Sequence, residues 1–329
     1  MQRSILGISL LAVATLLWSG CSANAGAPSL ANAPASRGGV LIPAGQSMPA
    51  AGPHASGGGW LSPDAKKGKN LLYVADASYN AIRIYKQKGS NQQPIGEITE
   101  GVSGPYGLFM DPKGRLYSCN FGNGTVTVYP RGKKSPSETL TGAGSPIDVV
   151  AGKDGTVYVA NFNSGSNGTV LEYAKGQTSP TKTIVTFGSG SFPEGLGLDS
   201  SNNLYVAYNT NDGEVEEFVS GSSSGKNLGI HVGYVGGLTI DRENDVLLDD
   251  QNLPGVDVYP PGSNTPSEQI TGFSLADFIA LNHKNSELWV TAPFTPKVYG
   301  VSYPAGKTVD TITSLESAFG VATSPDGSQ

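Results

Sequence analysis

The 329-residue chain carries 45 Gly and 22 Pro but only 2 Cys, with 15% charged residues and a formal net charge of −6. So many turn formers and so few charges exclude a helical bundle or coiled coil, and a hydrophobic content of 38% excludes an acid-rich disordered chain. Basic residues form no run longer than the pair Lys133-Lys134. The clustered cations that neutralise a phosphate backbone are missing, so nucleic acid is not expected as a partner.

The chain opens with Arg3, an apolar stretch from Ile5 to Leu17, and the small residues Ser19-Gly20-Cys21. The stretch has the length of a signal-peptide h-region and is too short to span a bilayer. This segment resembles a bacterial lipoprotein signal. That resemblance implies lipidation at Cys21 and, with Ser22 rather than Asp following, an outer-membrane or cell-surface destination. Ala23-Asn24-Ala25 offers ordinary secretory cleavage instead, which would yield a periplasmic or secreted protein. Residues 1–21 are read as the signal peptide. Residues 22–69, dominated by Ala, Gly, Pro and Ser, are read as a flexible linker with a reach of roughly 35–40 Å.

From residue 70 onward the sequence repeats. Short apolar runs recur at Leu72–Asp76, Leu116–Asn120, Val157–Asn161, Leu204–Tyr208, Val246–Asp250 and Leu288–Ala292, their starts 41 to 47 residues apart. They are β-branched and aromatic, and too short for helices. A second strand follows each, as in Thr125–Tyr129, and most then share a turn such as Tyr129-Pro130-Arg131-Gly132. A polar third strand comes next, as in Glu138–Thr141, and then a small apolar fourth strand such as Gly195–Asp199 or Gly237–Asp241. Six units of four strands at this period predict a six-bladed all-β propeller over residues 70–329. The Gly-rich fourth strand fits the crowded innermost position. The first unit lacks an inner strand and the chain ends with a spare one, Gly320–Thr323, so that strand is expected to close the ring. Cys119 lies within an apolar run and reads as a small buried hydrophobe. A monomer is expected.

The Leu-Tyr-Val-Ala-Asp/Asn, Val-x-Val-Tyr and Pro-x-Gly-Leu-x-x-Asp patterns resemble NHL-type repeats and the wider group of gluconolactonase-like six-bladed propellers. The resemblance implies the fold over residues 70–329. It leaves function open, because such propellers host both enzymes and non-catalytic binders.

In this fold the starts of the inner strands and the ends of the apolar runs share the face around one mouth of the channel. The first set is Tyr106, Ile147, Glu194, Gly236, Asp277 and Phe319; the second includes Asp76, Asn120, Asn161 and Asp250. Glu194 and Asp277 are candidate catalytic or ligand-binding groups, and with Asp76 and Asp250 they form a candidate oxygen-rich site for Ca²⁺ or Mg²⁺. Tyr106, Phe319, Asn120 and Asn161 are candidate ligand contacts. Asp and Asn at strand ends also cap turns, so both readings stand for Asp76, Asn120, Asn161 and Asp250. His54 falls in the linker and no His is placed at the mouth. Glu214–Glu217 reads as a solvated acidic edge. The expected function is an exported, tethered, non-catalytic scaffold for a protein, peptide or glycan. The alternative is a metal-dependent lactonase-like hydrolase, implied by the resemblance, with its site at the same mouth.

Overall fold

The computed structural model describes residues 58–163, 167–253 and 255–326. The expected signal peptide, Cys21, and residues 22–57 of the expected linker lie outside the described residues. The described chain folds into six antiparallel sheets arranged as propeller blades. Blade two shows the pattern: Leu116–Asn120 pairs with the inner strand Pro105–Met110 on one side and with Thr125–Tyr129 on the other, and Glu138–Leu140 forms the outer edge. The other inner strands are Pro146–Ala151, Phe192–Leu198, Val235–Ile240, Ile279–Leu281 and Ala318–Thr323, opening blades three to six and completing blade one. Consecutive inner strands touch each other around the whole ring, the last against the first.

The chain ends are joined as the repeat count requires. Ala318–Thr323 pairs with Leu71–Asp76, with Leu72 opposite Thr323 and Val74 opposite Val321. One expectation needs correction. Residues 58–69 belong to the propeller rather than to a linker that continues to residue 69. Gly59–Leu61 pairs with Gly96–Ile98, which gives blade one a fifth, outermost strand. The helix Pro63–Lys67 follows. Ser62 Oγ accepts from the Ala65 N–H at 3.1 Å, Pro63 opens the helix and Gly68 closes it at φ 59°. A strand with only two apolar residues, Trp60 and Leu61, behind three glycines has no periodicity to read.

The repeat's consensus residues have separate structural causes. In the turn after the inner strand one position adopts positive φ in each blade: Gly114, Gly155, Asn202, Asn244, Asn285, and Asn70 at the blade-one closure. Only Gly and Asn occupy it, as sterics require. The preceding Asp closes the same turn, as when Asp241 Oδ1 accepts from the Glu243 and Asp245 N–H groups at 3.0 and 2.8 Å. The Tyr of Val-x-Val-Tyr is buried in each of the first three blades and its hydroxyl reaches a backbone carbonyl. Tyr129 donates to Glu100 O at 2.7 Å and Tyr173 to Thr141 O at 2.9 Å. Between blades, fully buried side chains such as Trp289, Ile82 and Leu116 form the core. Each aliphatic member contributes about 1.5–3 kcal/mol relative to exposure.

Candidate functional site

The upper face of the ring is taken here as the one where inner strands begin. At that end the inner strands of blades one to five each contain a β-bulge. In blade four, Pro193 and Gly195 pair with Tyr208 and Ala207, which leaves Glu194 as the extra residue. Ile147 is the extra residue in blade three, and the pairs Tyr106-Gly107, Gly236-Gly237 and Phe319-Gly320 occupy the same place in blades two, five and one. A bulge re-aims a side chain that a regular strand would direct at the neighbouring blade.

Four carboxylates gather within the channel, Glu194 as a bulge residue and the others beside it. Glu194 and Asp277 are each 2% exposed, Asp148 is 7% exposed and Asp249 is wholly buried. The four interact electrostatically through Asp277. Burial first, and then the neighbouring carboxylates, push Glu194 and Asp249 well above the ordinary carboxylate range. Burial raises Asp277 to about 8, with Asp148 adding to the effect and the Gln251 amide opposing it. Asp148 is raised to about 7 by burial, against two backbone hydrogen bonds that favour its charged form. Asp148 Oδ2 accepts from the Leu196 N–H at 2.8 Å and so ties blade three to blade four. Gln251 Nε2 donates to Asp277 Oδ1 at 2.9 Å, and the Gly236 N–H donates to Asp249 Oδ1 at 3.0 Å. The second oxygens, Asp277 Oδ2 and Asp249 Oδ2, are buried and have no hydrogen-bond partner. Two unpartnered carboxylate oxygens in one acidic cluster require either bound protons or a cation.

The residues expected to ring the mouth divide into three groups. Glu194 and Asp277 are both buried below the mouth, and the Asp277 carboxylate adds to the upward push on Glu194. Asp76, Asn120, Asn161 and Asp250 act as caps. Asp76 accepts from the Ser317 and Glu316 N–H groups at 3.0 and 3.2 Å and pairs with Arg83 at 3.1 Å. Asn161 Oδ1 accepts from Gly144 and Ser145 at 3.0 and 2.8 Å, and Asn120 Oδ1 accepts from Ser103 at 3.1 Å. Asp250 accepts from Gly233, Tyr234 and Asn252. Each of these side chains holds the loop that enters its own blade's inner strand. The third group, Tyr106 and Phe319, is each 2% exposed and plugs the mouth instead of lining it. Their rings stack at 4.6 Å, and Phe278 and Phe121 each meet Tyr106 at 5.6 Å.

A cavity of about 270 Å³ lies below this plug and opens on the opposite face, bounded by Met110, Leu198, Ile240 and Leu281 and reaching up to Asp148 and Phe278. The upper loops present their own aromatic surface. Tyr79, Phe121, Tyr234 and Phe294 are partly exposed there, and Leu253 is 63% exposed. Tyr79 lies under the Arg83 guanidinium at 4.0 Å, and Tyr234 bridges surface and cluster through a 3.5 Å contact with Glu194.

Sequence reasoning missed Asp148, Asp249, Gln251 and the four upper aromatics. Two of these had a signal. Asp148 stands where four of the other inner strands have Gly107, Gly195, Gly237 and Gly320 and the fifth has Phe278, and Asp249 interrupts the apolar run Val246-Leu247-Leu248. Elsewhere, Asp212, Glu214 and His231 bring one ligand atom each to within 4.8 Å of one another, with His231 Nδ1 at 3.3 Å from Asp212 Oδ2. Among the described residues, no three channel carboxylates come that close. Glu214 therefore belongs to a local cluster with His231 on the blade-four edge.

No family model matches the chain, and no curated protein matches it by sequence. Solved structures do match in shape. A chain of a nidogen–laminin complex superposes with a TM-score of 0.64 at 16% identity, covering 78% of this chain and 98% of that one. A putative gluconolactonase gives 0.53 at 16%, covering 72% and 87%. A functionally unknown protein from Desulfotomaculum acetoxidans gives 0.56 at 16%, covering 78% and 99%. At this identity the likeness shows the fold alone: the chain is a six-bladed β-propeller similar in shape to these structures.

Proposed function

We propose that the protein is an exported, lipid-anchored propeller that binds a protein, peptide or glycan on its upper loops without catalysing a reaction. The observation that carries this reading is the seal over the channel. Glu194 and Asp277, the groups best suited to acid–base work, lie beneath the Tyr106–Phe319 plug at 2% exposure, out of reach of a substrate. What faces solvent is a ring of loops carrying partly exposed aromatics, the residue type enriched where proteins recognise partners. Tyr106 and Phe319 support that surface from below, while Phe121, Tyr234 and Tyr79 contact the ligand. The test is capture from envelope extract by wild type and by Phe121→Ser/Tyr234→Ser, with a lower-face Lys153→Glu variant as control. A partner held by wild type and control but lost by the upper-face variant supports the reading. Equal retention by all three places the binding surface elsewhere.

The unpartnered oxygens of Asp277 and Asp249 favour one second reading, a divalent cation held between these two carboxylates. The oxygen donors fit a hard ion such as Ca²⁺ or Mg²⁺. Such an ion would act as a Lewis acid on an ester carbonyl, the chemistry of a lactonase-like hydrolase. That reading also requires access to the carboxylates, either past the plug or from the lower cavity that reaches Asp148.

A further inference from the structure

Charge is spread unevenly around the ring. Eleven of the chain's 21 Lys and Arg lie between residues 64 and 134, against five of its 27 Asp and Glu, whereas residues 135–329 hold eight against 22. Folding sharpens the imbalance. Apart from Arg83, which is paired with Asp76 near the upper face, these eleven cations lie on or beside the helix Pro63–Lys67 or at the lower ends and turns of blades one and two. One cleft of about 530 Å³, at the seam where blades six and one meet, is lined by Lys67, Lys69, Lys86, Lys88 and Lys284 against three carboxylates, Asp64, Glu287 and Asp326, the last paired with Lys284 at 3.3 Å. A second, of about 710 Å³, lies on the other side of the helix and is lined by Lys66, Arg131, Lys133 and Lys134 beside Leu61. Asp64 pairs with both Lys67 and Lys86, at 2.7 and 3.8 Å, so one exposed carboxylate is shared between two exposed ammonium groups. The absence of a basic run in the sequence therefore does not carry over to the surface.

A second feature marks the same rim. Trp60, on the outermost strand Gly59–Leu61, is 46% exposed. A soluble anion has no use for an exposed indole one residue from Leu61, which lines the second basic cleft. A lipid headgroup layer takes both, because the indole's apolar body and polar N–H suit the interface and the long lysine stems lie along it. We propose that the rim built from Gly59–Leu61, the helix Pro63–Lys67 and the lower turns of blades one and two rests on an anionic lipid surface, with Trp60 in the headgroup layer. The acidic blades four and five then turn away from the lipid, and the upper loops remain free. The proposal does not depend on what those loops bind, and no partner enters its test.

The full chain is sedimented with vesicles of phosphatidylcholine alone and with vesicles containing phosphatidylglycerol. Its apolar N-terminal stretch is common to both measurements, so the difference between them reads the rim. Wild type is expected to bind the anionic vesicles at least about tenfold more tightly, an advantage abolished by salt of about 0.5 M. Lys69→Glu/Lys88→Glu/Lys133→Glu loses the advantage with an unchanged melting midpoint, and Trp60→Ser loses the fluorescence blue shift that anionic vesicles produce. Should the triple variant melt early, the salt dependence of wild type and the Trp60→Ser fluorescence decide the matter. Equal binding to both vesicle types overturns the proposal. So does a preference that survives the triple charge reversal, or tighter binding to duplex DNA or a soluble anionic polysaccharide than to the vesicles.

Discussion

At the scale of single residues, the channel is governed by carboxyl groups whose hold on a proton burial strengthens. Asp277 illustrates the sign. Its folded value of about 8 lies above the ordinary range near 4, so between those limits the folded protein binds a proton that the unfolded chain has released. The stability this proton carries is present in full at acid pH and is lost as pH rises toward 8. Replacing the acid by its neutral amide removes the cost of the buried charge. Asp277→Asn is therefore expected to melt at least as high as wild type near pH 8 and to show a shallower loss from pH 5 upward, read by calorimetry. A variant that melts several degrees lower at pH 8 would mean that the charged form is held by something favourable. Legibility at this scale was partial. Glu194 and Asp277 stood out because they interrupt positions otherwise held by Tyr, Ile, Gly or Phe. Asp249 interrupts an apolar run, but that signal is masked by its neighbour Asp250, a generic strand-end acid, until pairing opposite the Gly236-Gly237 bulge separates the two.

At the scale of elements, the inner strands show why glycine is required at particular positions. A Cβ on Gly320 would lie 2.1 Å from the Tyr106 carbonyl oxygen, and one on Gly107 would lie 2.3 Å from that of Ile147. Neighbouring inner strands thus approach backbone to side, and one methyl group is too large. Gly320→Ala is expected to cost about 1–3 kcal/mol through forced displacement of blade two, measured by denaturant titration. A change within about 0.5 kcal/mol, the range of an ordinary surface substitution, would show that the strands have slack. The apolar runs and their partners were legible because a run of five β-branched or aromatic residues between turns has one reading. The strand Gly59–Leu61 was not, because its stability comes from pairing with Gly96–Ile98 rather than from its own sequence. The plug was also illegible. Whether Tyr106 and Phe319 line a mouth or fill it depends on six strands converging to within ring-stacking distance.

At the scale of the whole molecule, closure by the last strand makes the ring a single cooperative unit. Ala318–Thr323 is the inner strand of blade one and touches the inner strands of blades two and six. Deleting residues 318–329 exposes the edge of Leu71–Asp76 and opens the channel wall, so a large drop in the melting midpoint, or failure to fold, is expected. A truncated protein that melts like the full chain would contradict closure. The repeat period made this architecture readable from sequence. The polarity of the channel, sealed above and open below, became visible only with the ring assembled.

That sealed acidic channel underlies the assignment of binding to the upper loops, and one measurement tests it most directly: the melting midpoint of the full chain from about pH 5 to about pH 8, with and without millimolar calcium. Closed, protonated carboxyls require a midpoint that falls as pH rises and is indifferent to calcium throughout. A midpoint raised by several degrees on adding calcium near pH 8, with the rise abolished in Asp277→Asn, would show that the cluster is an open cation site and contradict the sealed channel.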